Sequence, residues 1–596
     1  MLVKPKPIWR WLPILLAATL ACNTLAPTPA APTRAAATPT ELGPAATAVT
    51  ALPSPTATAL PATATAAPTE TPTLAATPTE LGQAVAPSVG YQLSPASVHF
   101  HPDPQLYSGD IVSIEVVADD APQNWSGAAV RLYIGERGEE PLARVNFTRY
   151  GLGGRLQATF TWVWDTAGRS GPQTVILVVS PGPVAGETTP PEQELTLSVN
   201  LLPSEARPQP EPEAQWAEAE SACCLFHYLT GTAAARDIDV IRAQADAAFA
   251  HVAATLGVTS EQKVGFTLVS RLLGHGGFAS SEISLSYLDR NPAVTELFSV
   301  FAHEGTHLLD RQIATVRPTM MVEGLAVYVA GGHFKTEPLD ARAAAVLALD
   351  RYIPLADLAN GFYPAQHEIG YLEAGAFINY LVERDGWETF KGMYATFQSA
   401  PTDAAMLDAA LRAHYGVTLA DLEAEWLAYL RAQPADPAQV EDLRLTVALF
   451  DTLRRYQQLK DPAAYFLSAW LPDGREARRR NIVGDFVRHP LAPDNIALEA
   501  MLDAAGMHLH AGEYAPAADL LAAVNAALDA DDLHAAPLAA DYLRVVEQLA
   551  AAGYEVQALR LDGPTALVSA IRAWPTLETL TLTEAAGGDW QITAGN

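Results

Sequence analysis

The chain has 596 residues and a mass of 63.4 kDa, more than one hydrophobic core usually organises, so several domains are expected. Its 37 Lys and Arg residues against 67 Asp and Glu residues give a formal net charge of −30, which would repel the phosphates of nucleic acids. We therefore expect no nucleic-acid partner. Only 17% of the residues are charged and 45 are proline, so an uncharged, proline-rich segment must dilute the average.

The first 22 residues have the features of an export signal. Residues 1–22 combine early basic residues with about eleven apolar residues and then small residues before Cys22. The apolar stretch is shorter than the about 20 residues that a bilayer span needs. Residues 19–22 resemble the lipobox of bacterial lipoproteins, in which the cysteine carries the lipid. We expect a lipoprotein-type signal peptide, lipidation of Cys22 and anchoring to the outer face of a bacterial membrane; the alternative is ordinary cleavage and secretion.

An Ala, Pro and Thr-rich segment follows, over residues 23–88, with two copies of ATPTELG. This composition cannot bury a core and predicts a disordered stalk. Frequent proline would make the stalk semi-rigid, with a reach of up to about 200 Å at roughly 3.1 Å per residue. The cysteines after Cys22, Cys223 and Cys224, are adjacent, so no disulfide framework supports the fold. Of a vicinal disulfide and two buried thiols, we expect the thiols.

Residues 89–205 show a hydrophobic period of two, as β-strands do. About seven strands fit in this region, which has the size of an immunoglobulin-like sandwich. Residues 162–166, followed by Gly168 and Gly171, resemble a strand and turn of bacterial Ig-like modules. We expect a spacer domain, and the alternative is a specific binding module. A short linker over residues 206–216, with prolines at alternate positions, comes next.

The sequence HEGTH, residues 303–307, lies in a predicted helix. A proline-containing start and apolar residues at helical spacing predict this buried amphipathic helix over about residues 292–313. Four residues at about 100° each bring His307 to within about 40° of His303, so both imidazoles can bind one tetrahedral cation. Glu304 would lie beside the metal, where it could deprotonate a water instead of binding the ion.

A second helix, predicted after Pro318, carries Glu323 on its buried side. Fifteen residues separate His307 from Glu323, enough for the first helix to end and an antiparallel partner to pack beside it. Gly324 lacks the bulk that would keep two such helices apart. A buried carboxylate without a partner costs several kcal/mol, so a metal ion accounts for Glu323. The sequence predicts one catalytic Zn²⁺ bound by His303, His307 and Glu323.

Three segments resemble a known family. HEGTH, the block PTMMVEGLAVY at 318–328 and the segment GYLEAGAFINYLVERDGW at 370–387 resemble gluzincin metallopeptidases. More narrowly, they resemble the peptidase MA-like domains related to the aminopeptidase N catalytic domain. The resemblance implies an α+β zincin-like catalytic domain over residues 217–434 that hydrolyses peptide bonds of a peptide or protein substrate. It implies zinc binding by His303, His307 and Glu323, with Glu304 as the general base.

Two residues depart from the family's pattern. Gly305 stands where the family has a larger residue, and glycine is about 1 kcal/mol less favourable in a helix than alanine. Gly305 therefore either loosens the helix or makes room for a neighbour. Val327 stands where many gluzincins keep an aspartate that orients the first histidine. The residue that would accept a hydrogen bond from the first histidine is therefore unassigned. Without such an acceptor, metal affinity could fall about tenfold or more.

A tetrahedral oxyanion needs a donor besides the zinc. Related enzymes use a tyrosine on a later helix, and Tyr371 is the first candidate here, with His367 and His275 as second choices. Each of these residues could equally be structural. The run 281–287 predicts an edge strand to which an extended substrate could add, or else a plain sheet edge. Because no GAMEN-like sequence precedes HEGTH, we do not expect recognition of a substrate's amino terminus.

Residues 435–550 are predicted to be helical and in part resemble a tetratricopeptide hairpin, and residues 551–596 predict a small strand-rich cap. A basic cluster at 475–480 is expected to be a solvated face. The fold class expected is multidomain: an all-β Ig-like sandwich, the α+β zincin-like domain, a helical C-terminal region and the cap. The function expected is a zinc-dependent metallopeptidase at the cell surface. The alternatives are a non-catalytic envelope scaffold that retains the zincin fold and an adhesin that acts through the sandwich.

Overall fold

The computed structural model describes residues 91–121, 123–182, 190–259, 262–273, 277–279, 282–433, 435–586 and 588–595. The predicted signal peptide 1–22, Cys22, the predicted stalk 23–88 and His275 lie outside these residues. Within the described ranges, no helix combines the length and the apolar character that crossing a membrane requires.

Among the described residues from 91 to 202, nine strands form two sheets. The strands are β1 (Val98–His101), β2 (Leu106–Tyr107), β3 (Ile111–Val117), β4 (Ala129–Ile134), β5 (Ala143–Asn146), β6 (Thr148–Tyr150), β7 (Arg155–Asp165), β8 (Gly171–Ser180) and β9 (Gln193–Leu202). One sheet has the order β1-β3-β7-β6 and the other β2-β9-β8-β4-β5. About seven strands were expected; strands as short as β2 and β6 leave no detectable period in the sequence.

The two sheets enclose a core of alternating strand residues and large aromatic rings, such as Trp125, Phe147 and Trp164. This arrangement is all-β, as the alternating pattern predicts, because each strand turns every second side chain toward the other sheet. The narrower Ig-like assignment stays a prediction, and so do the domain boundaries along the chain.

A mixed sheet follows, with the order β10-β11-β12-β14-β13. Its strands are β10 (Trp216–Glu220), β11 (Cys224–Leu229), β12 (Val264–Val269), β13 (Gly277–Ala279) and β14 (Ile283–Ser286). The pairs β11–β12 and β12–β14 are parallel, whereas β10 and β13 pair antiparallel to their neighbours. The edge strand expected over 281–287 is wrong in position, since β14 has a neighbour on each side and β13 is the outer strand.

Helices cover this sheet and continue beyond it. They are α1 (Ala233–Arg236), α2 (Ile238–Leu256), α3 (Leu297–Leu309), α4 (Thr319–Ala330), α5 (Leu339–Ala348), α6 (Leu355–Asn360), α7 (His367–Asp385), α8 (Trp387–Tyr394), α9 (Asp403–His414) and α10 (Leu419–Ala432). Aromatic rings join α2 and α3 to the sheet: the ring centroids of Phe266 and Phe301 lie 5.1 Å apart, and those of Phe249 and Phe266 lie 5.9 Å apart. Helix α4 packs between α3 and α7.

The start of α3 differs from its prediction. The helix begins at Leu297, after Glu296 as N-cap, whereas the Asn291-Pro292 pattern predicts a start near 292. Val294 has φ +47, outside the helical region, and the backbone N–H of Asn291 donates to the carboxylate of Asp503 at 3.1 Å. Tertiary contacts with a later helix therefore hold these residues in a turn. The prediction of α4 is confirmed, with Pro318 as N-cap and Gly331 at φ 79 as C-cap.

The last part of the described chain contains six helices and a four-stranded antiparallel sheet of order β15-β16-β17-β18. The elements are α11 (Pro437–Lys460), α12 (Gly474–Arg480), α13 (Gly484–Val487), α14 (Pro493–His510), α15 (Tyr514–Ala530), α16 (Pro537–Ala551), β15 (Glu555–Asp562), β16 (Thr565–Ala573), β17 (Thr576–Glu584) and β18 (Trp590–Gly595). Helices α11, α14, α15 and α16 share one hydrophobic core with this sheet, so the strands are packed on these helices. Helices α12 and α13 belong to a separate cluster that includes Trp162.

The basic cluster at 475–480 is not simply a solvated face. The guanidinium groups of Arg475 and Arg478 each donate to Oε1 of Glu282 at 2.6 Å. Burial by itself would raise the pKa of the Glu282 carboxyl, but its hydrogen bonds from Arg478 and Arg475 lower it to about 2. Arg480 stacks over the ring of Trp162 in β7. The cluster thus connects its own segment with Glu282 and with Trp162, which are far away in the sequence. The sequence pattern of the cluster does not indicate these contacts.

Cys223 and Cys224 form a disulfide bond in the structure, which corrects the expectation of two buried thiols. Cys224 is fully buried at the start of β11, whereas Cys223 is half-buried. The pair therefore lies at the border of the core and not within it.

Candidate metal centre

Three side chains from two neighbouring helices converge on one point. Nε2 of His303 lies 3.4 Å, and Nε2 of His307 lies 3.2 Å, from Oε2 of Glu323. Zinc bonds of about 2.0–2.2 Å in a tetrahedral arrangement space the ligand atoms about 3.3–3.6 Å apart, so these distances suit one zinc ion. Within the described part of the chain, no other group of three His, Cys, Asp or Glu side chains comes this close.

Two glycines let α4 approach α7 closely enough to hold Glu323 in place. A Cβ atom on Gly324 would lie 2.7 Å from the backbone oxygen of Ala374, and one on Gly375 would lie 2.4 Å from Cγ1 of Val327. Side chains at these positions would separate the helices. Gly324 directly follows Glu323, so the position of this carboxylate depends on the same contact.

Gly305 meets a similar requirement on the other side of α3. A Cβ atom there would lie 3.1 Å from Cζ of Phe249, whose ring belongs to α2 and to the core beneath the sheet. Of the two explanations for glycine at this position, the structure supports the second, that it makes room for a neighbour.

The charges of the three candidate ligand residues compensate one another. Burial by itself would lower the pKa of His307, but the Glu323 carboxylate raises it to about 9. Burial would raise the pKa of Glu323, but the two imidazoles, His307 first, hold it well below its usual range. A buried carboxylate among imidazoles is a donor set suited to a divalent cation, which would replace the proton on the histidine.

Glu304 lies beside this group and faces β13. Its Oε2 is buried and has no hydrogen-bond partner among the described residues. Burial raises the pKa of Glu304, and the imidazoles of His307 and His303 offset this in part. A buried carboxylate oxygen without a partner is costly unless a ligand or a water uses it.

The imidazole nitrogens that face away from the cluster lack acceptors. Nδ1 of His303 and Nδ1 of His307 have no hydrogen-bond partner in the described part of the chain. Val327 offers no polar atom, and its side chain packs against Gly375. Asp310, one turn after His307, is already engaged, because it accepts hydrogen bonds from Arg317 and from the hydroxyl of Tyr394.

Two tyrosines lie beside the ligand carboxylate. The hydroxyl of Tyr363 donates to Oε1 of Glu323 at 2.8 Å. Tyr371 is buried on α7, and its ring stacks at 6.0 Å from that of His303. Burial, and then the Glu323 carboxylate, raise the pKa of Tyr371 well above its usual range, so its hydroxyl keeps its proton. Sequence reasoning missed Tyr363, which precedes α7 in an irregular segment without periodic pattern.

Two histidines complete the wall formed by Tyr371. The ring of His367, the first residue of α7, lies 4.3 Å from that of Tyr371. The ring of His333 also stacks on that of Tyr371, at 4.3 Å, and lies 5.0 Å from the ring of His367. His333 was not among the sequence candidates, although its place in the loop just after the helix of Glu323 could have indicated it. His275 lies outside the described residues, so its prediction is untested.

These side chains line a cavity of about 250 Å³. Arg311 and Arg317, beyond the end of α3, contribute positive charge to its lining, and Leu152 reaches it from the loop between β6 and β7. A residue from the N-terminal β-sheet region therefore takes part in a cavity whose acidic and imidazole groups come from α3, α4, α7 and the loop after α4.

Comparisons with known proteins show only distant likeness. No family profile matches this chain, and no curated protein matches it in sequence. Among solved structures, yeast LTA4 hydrolase matches over 77% of this chain and 88% of its own, at 9% identity and a TM-score of 0.29. A variant of Salmonella alpha-2-macroglobulin matches over 66% of this chain and 27% of its own, at 13% identity and a TM-score of 0.10. Neither likeness is close enough to carry an argument about function.

Proposed function

We propose that this protein is a zinc-dependent metallopeptidase that hydrolyses peptide bonds. The observation that carries the proposal is the convergence of His303, His307 and Glu323, whose nitrogen and oxygen atoms lie 3.2 and 3.4 Å apart. Beside them is a carboxylate oxygen of Glu304 without a partner among the described residues. Zinc held by the three ligands would supply an acidified water and polarise the substrate carbonyl.

Glu304 would act as general base and then as general acid. Glu304 lines the cavity, its Oε2 has no hydrogen-bond partner in the part of the chain that the structure describes, and this oxygen would accept a proton from the attacking water. Burial raises the pKa of Glu304, which makes the carboxyl a better base at neutral pH than an exposed glutamate. The same oxygen would then return the proton to the nitrogen of the leaving amine.

Tyr371 and His367 would donate to the oxygen that gains negative charge as the carbonyl is attacked. Both line the cavity, and Tyr371 retains a hydroxyl proton because burial and the Glu323 carboxylate raise its pKa. A positioned donor stabilises developing charge strongly in a site of low dielectric. Tyr363 would orient Glu323 toward the metal through its hydrogen bond to the other carboxylate oxygen.

We further propose that the protein acts at the cell surface. Residues 1–22 would direct export, lipid on Cys22 would anchor the chain to the membrane, and the stalk 23–88 would hold the catalytic part away from it. The partners would be a peptide or protein substrate and the membrane. The all-β region, as an Ig-like spacer, would contribute Leu152 to the catalytic cavity.

The test combines metal analysis with hydrolysis of a fluorescence-quenched peptide library. Purified wild type, Glu304→Gln and the exposed control Glu388→Gln would be analysed for zinc and assayed together. We expect one zinc per chain in all three proteins and hydrolysis by wild type and the control but not by Glu304→Gln. Stoichiometric zinc without turnover by wild type would favour the non-catalytic scaffold, and absence of zinc binding would refute the metal centre.

A further inference from the structure

A second cavity, of about 420 Å³, adjoins the catalytic one. Leu152 and Phe278 line both cavities, so the two spaces meet at these side chains. The size lies within the range of about 300–1,000 Å³ that is usual for small-ligand pockets. None of the residues proposed to bind zinc or to transfer protons lines this second cavity.

One wall of the second cavity is the loop between β6 and β7 docked against the segment 466–471. The hydroxyl of Tyr150 donates to the backbone oxygen of Ala469 at 3.0 Å, and the N–H of Leu471 donates to that hydroxyl at 3.2 Å. The N–H of Gly153 donates to the oxygen of Leu467 at 3.0 Å. These bonds attach the loop to a distant segment, so the cavity is pre-formed.

The two carboxylates and the tyrosine of the lining are already engaged: Asp473 accepts from the backbone N–H groups of Arg475 and Glu476. Glu282 is bound by Arg475 and Arg478, and the hydroxyl of Tyr150 makes two hydrogen bonds with backbone groups. The remaining surface includes Leu152, Phe278, Phe466, Leu467, Leu471 and Pro472. Burial of an apolar group against this surface is favourable, whereas burial of a charged group beside the paired carboxylates would be costly.

Strand β13 leads from Glu304 to this cavity. A Cβ atom on Gly277 would lie 2.9 Å from Oε1 of Glu304, so the strand passes directly beside the proposed general base. The next residue, Phe278, borders the second cavity. A strand advances about 3.3 Å per residue, so an extended peptide along β13 with its cleaved bond at Glu304 would carry a side chain to the second cavity within one or two residues.

We propose that the second cavity is a specificity subsite that takes one bulky apolar side chain, of the leucine, methionine or phenylalanine type, from an extended peptide substrate. The assignment rests on the peptidase function proposed above. It makes Leu152 and Phe278 specificity-determining residues, and it gives the N-terminal β-sheets a part in substrate selection.

The test uses the full zinc-loaded chain and quenched polyalanine nonapeptides in which one position at a time is leucine, phenylalanine or aspartate. Mass spectrometry of the products assigns each position relative to the cleaved bond. We expect leucine or phenylalanine at one position to raise kcat/KM about tenfold or more over alanine, and aspartate there to lower it. Equal kcat/KM values at every position would overturn the subsite while leaving the peptidase function intact.

Two variants change the cavity in opposite directions. Ser284 lines the cavity from β14, so the larger side chain of Ser284→Phe would fill the cavity. This variant should lose most of the preference for leucine over alanine. Leu467→Ala would enlarge it and should shift the preference from leucine toward phenylalanine. Ser198→Phe, on the exposed face of β9, is the matched control and should keep the wild-type ratio. If Ser284→Phe keeps the wild-type ratio of kcat/KM for leucine over alanine peptides, the cavity is not the subsite.

Failure of the peptidase function would be separately visible. If zinc-loaded wild type cleaves none of the peptides, binding of the same peptides with a single fluorescent label is measured by anisotropy. Tighter binding of leucine peptides than of all-alanine peptides, weakened in Ser284→Phe but not in Ser198→Phe, would support the apolar cavity and refute only the hydrolysis. Equal binding of all peptides would overturn the cavity as well.

Discussion

Gly277 of β13 passes so close to Glu304 of α3 that a Cβ atom on the glycine would lie 2.9 Å from Oε1 of the carboxylate. Contacts this short do not persist, so a side chain at 277 would displace the flexible end of Glu304 and not the backbone. The outer strand can therefore lie this close to the proposed general base only because residue 277 has no side chain.

This contact predicts that Gly277→Ala lowers kcat and spares both the fold and the metal. Because only the end of the Glu304 side chain must move, zinc content and melting temperature should stay near wild type, while kcat falls about tenfold or more. Gly138→Ala is the control, since the nearest atom to its added Cβ, apart from sequence neighbours, would be 3.9 Å away. An unchanged kcat in Gly277→Ala would show that the position of Glu304 tolerates displacement.

The close packing of α4 on α7 predicts a large effect of Gly324→Ala on stability. The added Cβ would lie 2.7 Å from the oxygen and 2.8 Å from the carbonyl carbon of Ala374, and backbone atoms cannot move aside without separating the helices. We expect a loss of about 1–3 kcal/mol in the free energy of unfolding, measured by urea denaturation, together with weaker zinc binding. Gly392→Ala in α8 has room, with its nearest contact at 3.9 Å, and should be neutral or stabilising.

The hydrogen bond from Tyr363 to Glu323 predicts a role in metal affinity. Tyr363→Phe removes a donor that fixes the carboxylate, so the dissociation constant for zinc should rise about tenfold, as measured by competition with a chelating dye. Hydrolysis at saturating zinc should largely recover. Tyr429→Phe removes a comparable bond, from a tyrosine hydroxyl to Asp340 at 2.6 Å far from the ligand cluster, and should leave zinc affinity unchanged.

The placement of Tyr371 predicts a loss of kcat when its hydroxyl is removed. Tyr371→Phe keeps the ring that stacks on those of His303 and His333, so folding should be preserved. We expect kcat to fall about 10²-fold with little change in KM. The opposite result, a normal kcat in Tyr371→Phe and a large loss in His367→Gln, would assign the oxyanion donor to the imidazole.

A pH-dependent contribution to stability is predicted at His101, away from the metal centre. Burial by itself would lower its pKa from 6.5, but the nearby carboxylates of Asp103 and Glu115 raise it to about 9. Since the folded pKa exceeds the unfolded one, the protonated histidine stabilises the fold fully below about pH 6.5, and this stabilisation is lost as the pH rises through about 9. The ring also stacks on Trp470 at 4.3 Å, which joins the β-sheets to the C-terminal region.

The measurement compares urea denaturation of wild type and His101→Gln between pH 6 and pH 10. The destabilisation caused by the substitution should be larger at pH 6 than at pH 10, by an amount on the order of 3 kcal/mol. His534→Gln, at an exposed position, is the control for loss of a histidine. A destabilisation that is equal at both pH values would mean that His101 contributes packing and no charge.

Local patterns predicted the parts of the molecule that local forces determine. The four-residue spacing of His303 and His307 places both on one helix face whatever surrounds the helix, and Pro318 and Gly331 mark the ends of α4 because their backbone preferences act within one turn. Alternating hydrophobicity likewise indicated the strands of residues 89–205, and helical periodicity indicated the helices within residues 435–550.

Tertiary structure decided what depends on residues far apart in the sequence. Val294 leaves the helical region because Asn291 is held by Asp503, and β13 rather than β14 forms the sheet edge because strand order is set by packing. Tyr363 and Leu152 reach the proposed catalytic cavity from irregular segments, where no period exists to indicate them. Spacing can align ligands along one helix, but the third ligand, the neighbouring donors and the cavity walls come together only when the whole chain is packed, since each depends on contacts that no short segment contains.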